Sequence, residues 1–90
     1  MIYLSVKYKV ADFKKWYKAF GENEALRMQA GLRVENIFRD FEEPNQVKIL
    51  MSIESIVTAN EYVESVTTPE YLEKLSITSP VEIRFWDVFY

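Results

Sequence analysis

Apolar and polar residues alternate strictly from Ile2 to Val10. Ile2, Leu4, Val6, Tyr8 and Val10 fall on one side, and Tyr3, Ser5, Lys7 and Lys9 on the other. A period of two predicts a strand with one apolar face. Asp12 then offers a helix N-cap. Phe13, Trp16, Tyr17 and Phe20 recur at helical spacing, with Lys14, Lys15 and Lys18 on the opposite side. The helix is expected to run on through Ala25, Leu26 and Met28 and to stop at Gly31, a residue suited to a left-handed C-terminal turn. Gly21 inside that helix costs about 1 kcal/mol relative to alanine, which points to a close backbone contact or a kink there.

Leu32–Asp40 reads as a second strand, with Val34, Ile37 and Phe38 among charged positions. Its alternation slips between Val34 and Ile37, as a β-bulge would make it do. Phe41-Glu42-Glu43-Pro44-Asn45 is a turn, and Val47, Ile49, Met51 and Ile53 form a third, cleanly alternating strand. Thr58-Ala59-Asn60-Glu61 fits a capping box that starts a short helix through Tyr62, Val63 and Val66. Thr68-Pro69 restarts it as N-cap and first helical residue, carrying Tyr71, Leu72 and Leu75. Ser76–Pro80 is a loop, and Val81, Ile83, Phe85, Trp86, Val88 and Phe89 form a final strand.

The order is β-α-β-β-α-β, which predicts an α+β ferredoxin-like sandwich: a four-stranded antiparallel sheet with the helices on one face. If Leu4, Ile49, Met51 and Phe85 face the helices, then Tyr3, Ser5, Leu50, Ser52, Trp86 and Val88 lie on an open face. An apolar face of that kind favours being covered. Together with the aromatic C-terminus, Trp86, Phe89 and Tyr90, it predicts a homodimer formed sheet to sheet.

Composition narrows the function more than it names it. Ninety residues make one domain over positions 1–90, with no room for a separate cofactor domain, and a chain this short leaves apolar surface for self-association. There is no cysteine and no histidine. That excludes disulfides, thiolate zinc sites, cysteine nucleophiles, serine–histidine triads and histidine-ligated haem. No metal site and no cofactor are expected. The formal net charge of −3 argues against a nucleic-acid partner. The charge is uneven: residues 1–20 hold five lysines and one aspartate, whereas residues 21–90 hold six basic and thirteen acidic side chains. The lysines have the plainer role of solvating the first helix, with attraction of an anionic ligand as the alternative. No apolar run approaches membrane-spanning length and no signal-peptide pattern opens the chain, so the expectation is a soluble cytoplasmic protein without a membrane partner.

Several segments carry a family resemblance: Val10-Ala11-Asp12-Phe13, Trp16, Phe20, Leu26-Arg27, Gly31-Leu32, Phe38-Arg39-Asp40, Pro44-Asn45-Gln46-Val47, Thr68-Pro69-Glu70-Tyr71-Leu72 and Pro80-Val81-Glu82-Ile83. Over nearly its whole length the chain resembles the small members of the dimeric α+β barrel superfamily, which includes the antibiotic-biosynthesis monooxygenases. The resemblance implies a ferredoxin-like domain forming a dimeric α+β barrel, and a pocket between sheet and helices. It directs attention to Tyr8, Trp16, Phe20, Met51, Tyr62 and Phe85 as candidate ligand-binding residues. Tyr8 stands where such relatives often carry a histidine. Haem-degrading members use an axial histidine, so the haem branch is set aside.

Two functional expectations follow. In the first, the dimer binds a small hydrophobic or aromatic molecule, with cofactor-independent monooxygenation as its activity: Trp16 and Phe20 stack on the ligand and Tyr8 donates a hydrogen bond. In the second, the protein is a non-catalytic structural or ligand-sensing protein, and the same aromatic residues are core packing. A pocket of at least about 300 Å³ beside Tyr8 separates the two. No catalytic residue is singled out. Arg39 and Asp40 read as a surface ion pair or an anion contact. Glu42 and Glu43 make a poor calcium pair, and Glu54 is a base only if buried.

Overall fold

A computed structural model describes residues 1–89; Tyr90, invoked above for the dimer face, lies outside the described residues. The elements are β1 (Ile2–Lys9), α1 (Phe13–Glu22), α2 (Glu24–Gln29), β2 (Leu32–Arg39), β3 (Gln46–Ile53), α3 (Ile56–Ser65), α4 (Pro69–Lys74) and β4 (Glu82–Asp87). The four strands form one antiparallel sheet in the order β2-β3-β1-β4, the ferredoxin-like arrangement expected from the element order.

The register sorts the two faces. Leu4 lies opposite Met51 and Phe85, Val6 opposite Ile49 and Ile83, and Tyr8 opposite Val47. Most of these side chains meet Trp16, Phe20, Ala59, Tyr62, Val66 and Leu75 in a single core between sheet and helices. Tyr3, Ser5, Leu50, Ser52 and Trp86 occupy the other face, as the alternation predicts, whereas Val88 and Phe89, expected in the last strand, lie past its end at Asp87. There the Trp86 indole N–H donates to Ser5 Oγ at 2.7 Å and covers a hydroxyl that is otherwise out of place in a strand's middle. The slip in β2 is a register shift between Val34 and Asn36, which returns Ile37 to the helix side opposite Ile49.

Helix ends follow local chemistry in three places. Asp12 accepts from the Lys15 N–H at 3.1 Å, and Thr68 accepts from the Tyr71 N–H at 3.3 Å with Pro69 behind it. Gly31 has φ +74°, and a Cβ there would stand 3.0 Å from Glu54 Oε2. Both the backbone sign and the close approach of the β3 end require glycine. The Glu54 N–H closes the same corner on the Gly31 carbonyl at 3.1 Å.

Two expectations are corrected. The second helical region starts at Ile56 with Ser55 as N-cap, three residues ahead of the Thr58 capping box; Thr58 Oγ1 instead donates back to the Ser55 carbonyl at 3.2 Å. The first helical region does not run on unbroken but is interrupted at Asn23. Gly21 meets no neighbour, so no close contact explains it. The break comes two residues later, where the Asn23 N–H bonds to the Phe20 carbonyl three residues back and its side chain bonds to the Ala19 carbonyl. Glycine and asparagine are both weak helix formers, and an asparagine side chain competes for backbone partners.

Candidate functional site

A latch on the β2–β3 turn sets the position of the aromatic cluster. Asn45 receives the Val10 N–H on its carbonyl at 2.8 Å and the Phe13 N–H on Oδ1 at 3.0 Å. The start of α1 is thereby fixed to the sheet, and its apolar stripe points down at β1 and β3. Trp16 stacks on Phe20 at 5.0 Å between ring centroids and meets Tyr8 edge-on at 6.1 Å. Its indole N–H donates to the Tyr8 hydroxyl at 2.8 Å, wholly inside the core.

Five of the six candidate residues converge. Tyr8, Phe20, Met51 and Tyr62, joined by Tyr71, surround a void of about 10 Å³, with Trp16 bonded to Tyr8 beside it. That volume holds at most one water. Phe85 is not brought to them. It pairs with Leu4 on the helix side of the sheet, but β4 is an edge strand and the side chain is 39% exposed.

Phe20 also faces a much larger space. A cleft of about 800 Å³, open to solvent, lies between α1–α2 and the β2–β3 side of the sheet. Tyr17, Phe20 and Met28 line it from the helices, and Leu32, Val34 and Ile37 from β2. Gly21 presents no side chain to it, so the missing Cβ keeps its wall low. A volume of this size falls in the range of small-molecule sites.

The charged candidates take structural places. Arg39 Nε donates to the Pro44 carbonyl at 2.8 Å and its guanidinium lies 4.3 Å from the Phe13 ring centroid. Asp40 Oδ2 accepts from the Glu42 and Glu43 N–H groups. No Arg39–Asp40 ion pair forms among the described residues; the pairs found there are Lys9–Glu43 and Arg33–Glu35. Glu54 is exposed on the cleft's rim. One residue that the sequence marks only within the Leu26-Arg27 segment of the resemblance, and not as a candidate for the site, belongs to it: Arg27 on α2 is only 4% exposed and lines the cleft.

No family model and no curated relative matches the sequence. Solved structures do match. A provisionally named antibiotic biosynthesis monooxygenase from Bordetella bronchiseptica superposes with TM-score 0.77 at 14% identity, covering 99% of this chain and 97% of that one. A similarly named protein from Nitrosomonas europaea gives 0.69 at 15% identity over the whole of both chains. An uncharacterised NIPSNAP domain protein from Burkholderia xenovorans gives 0.65 at 11% identity, covering 99% and 95%. The chain has the antibiotic-biosynthesis-monooxygenase fold. At these identities the likeness concerns the fold, and it accords with the resemblance read from the sequence.

On this fold the chain buries Tyr8 and Tyr62 and packs the half-buried Tyr71 beside them. Burial raises the Tyr8 hydroxyl far above its ordinary value, against the opposing pull of the Trp16 hydrogen bond. Burial likewise raises Tyr62, while the nearby Arg27 charge pulls it down. Tyr71 is raised by burial and by its proximity to Tyr62. The native state therefore keeps these protons at a pH where the unfolded chain, with tyrosines near 10, has lost them. Stability attributable to them is complete below about pH 10 and falls as pH rises beyond it, by up to about 1.4 kcal/mol per pH unit for each of the buried Tyr8 and Tyr62. Urea denaturation between pH 8 and 12, followed with tyrosinate absorbance, will show Tyr8 and Tyr62 ionising together with unfolding. Ionisation of all the tyrosines near pH 10 with the fold intact contradicts the packing described here.

Proposed function

We propose that the protein is a homodimer that binds a small hydrophobic or aromatic molecule in the α1–α2 cleft, with cofactor-independent monooxygenation as its activity. The observation that carries the reading is the cleft: about 800 Å³, walled by Phe20, Met28, Leu32, Val34 and Ile37, on a chain of only 90 residues. The names borne by the Bordetella and Nitrosomonas proteins support the choice of reaction. An electron-rich phenol or enol can itself reduce oxygen, so the protein's share is to orient the ring and exclude water. Phe20 suits that share, since it forms a wall of both the cleft and the inner void.

A second reading has its own observation. The space beside Tyr8 is only about 10 Å³, and the Tyr8 oxygen already accepts from Trp16. A protein that binds in the outer cleft and performs no chemistry, as a ligand sensor or structural partner, fits that filled interior. Oxygen uptake with a panel of phenols and naphthols separates the two. The monooxygenase reading expects uptake above the uncatalysed rate, lowered about five- to tenfold in Phe20→Leu through loss of ring stacking. Binding without uptake leaves the sensor reading. Uptake unchanged in Phe20→Leu contradicts the cleft as its site.

A further inference from the structure

Arg27 is a buried cation without a counter-charge. Only 4% of its surface is exposed, and its guanidinium sits 3.7 Å from the centroid of the Phe20 ring. Neither of the ion pairs found among the described residues includes it. Nε and Nη1, which carry three of the five guanidinium N–H donors, have no hydrogen-bond partner. Arginine stays ionised at any accessible pH, so folding has placed a full charge and several orphaned donors out of water. A buried charge in that state is costly unless something pairs with it. Contact with the Phe20 face recovers part of that cost but satisfies none of the N–H groups.

The same residue forms part of the wall of the cleft, next to the apolar side chains of Phe20, Met28, Leu32 and Val34. The Tyr62 hydroxyl is a neutral neighbour of the guanidinium and supplies no counter-charge. A largely apolar wall holding a buried cation whose Nε and Nη1 lack partners suits a molecule with an apolar body and one anionic end. Glu24, Glu54 and Arg33 line the cleft as well, and Arg33 is exposed with Glu35 4.0 Å away as its partner. The two cleft carboxylates disfavour a dianion such as a phosphate monoester and leave a single charge to be met at Arg27.

We infer that Arg27 is the anchor for the carboxylate of an aromatic or aliphatic carboxylic acid bound in the cleft. This inference rests on the cleft reading given above and adds the charge of the ligand to it. No sequence motif marks the site, which is assembled from the α1–α2 break and the β2 wall.

The test compares 2-naphthoate with the neutral, equally shaped 2-naphthamide, using amide NMR shifts of Phe20, Gly21 and Leu32 to read binding to the wild type and to Arg27→Met. Methionine keeps most of the volume and removes the charge. The wild type is expected to bind the naphthoate at least tenfold more tightly than the amide. Arg27→Met is expected to bind the amide as the wild type does and to lose the preference. Its melting temperature is expected to be unchanged or raised, because an unpaired buried charge has been replaced by an apolar side chain. Equal binding of both probes by the wild type, or a preference that survives in Arg27→Met, overturns the carboxylate anchor and leaves the cleft reading standing. A melting temperature lowered by several degrees shows Arg27 to be a structural support and overturns it as well. Absence of binding by either probe overturns the cleft reading and the anchor together.

Discussion

Replacing Trp16 with alanine will destabilise the protein by about 3–5 kcal/mol, the range for emptying a buried tryptophan site. Domains of this size have total stabilities of about 5–15 kcal/mol, so the variant will be close to unfolding at room temperature. Trp16 is 1% exposed and touches Phe13, Tyr8 and Phe20. Its removal leaves a cavity that the pinned start of α1 cannot collapse, because Asn45 holds Val10 and Phe13 in place. It also leaves the Tyr8 hydroxyl without its donor. Trp16→Phe isolates that part: most of the volume stays, the N–H goes, and the expected cost falls to about 1–2 kcal/mol. Urea denaturation at fixed protein concentration measures both, and the concentration matters because self-association adds to apparent stability. A loss below about 1 kcal/mol for Trp16→Ala, with an unchanged denaturant slope, contradicts the account of the core.

For the homodimer proposed above, replacing Trp86 with glutamate is expected to leave monomers. Trp86 lies on the sheet face opposite the helices and is 45% exposed, although its polar atom is already satisfied by Ser5. What remains uncovered is ring surface, which gains from burial, with the Lys48 ammonium 5.9 Å from the ring centroid at its side. Phe38, Leu50 and Tyr3 share that face. A carboxylate placed there would be taken out of water on association, at about 3 kcal/mol per copy where it finds no partner; with one copy on each protomer the cost is about 6 kcal/mol, which weakens the dimer on the order of ten-thousandfold. Trp86→Phe keeps the apolar ring and will keep the dimer. Sedimentation equilibrium at micromolar concentration will find the wild type at twice the 10.7 kDa chain mass and Trp86→Glu at the chain mass. A wild type that sediments at the chain mass contradicts the dimer.

The strands were legible because their signal is local. Alternation in Ile2–Val10 and Val47–Ile53 fixes which residues face the helices, and the register of β1 with β3 follows it residue by residue. The bulge in β2 showed as a slip in the same alternation. The helix break at Asn23 was harder to see, because Ala25, Leu26 and Met28 continue a helix-favouring composition past it. Those side chains prove to be exposed, and the residue between them, Arg27, is buried instead. A signal for it existed: Arg27 stands seven positions after Phe20, on the stripe that carries Phe13, Trp16 and Phe20. A charge on the apolar stripe of a helix calls for a partner, and none can be read from the neighbouring sequence.

The candidate site was legible in membership and less so in space. Tyr8, Trp16, Phe20, Met51 and Tyr62 do gather, since each lies on the inward face of its element. How much room they leave depends on how closely their rings pack, which no periodicity records. The void beside Tyr8 is nearly filled, whereas the roomy space lies between α1–α2 and the β2–β3 side of the sheet. The course of α2 is set by the break at Asn23 and the left-handed Gly31. Phe85 shows another limit of pattern reading: a residue on the correct face of an edge strand still lacks a helix above it. Among the described residues no helix is long and apolar enough to cross a membrane.

The most direct test of the central claim is a crystal structure of the protein grown with a neutral aromatic probe such as 1-naphthol. The account predicts ring-shaped density between Phe20 and Met28 on one side and Val34 and Ile37 on the other. An empty cleft in the presence of saturating probe, or a probe bound only on the outer face beside Trp86, would contradict it.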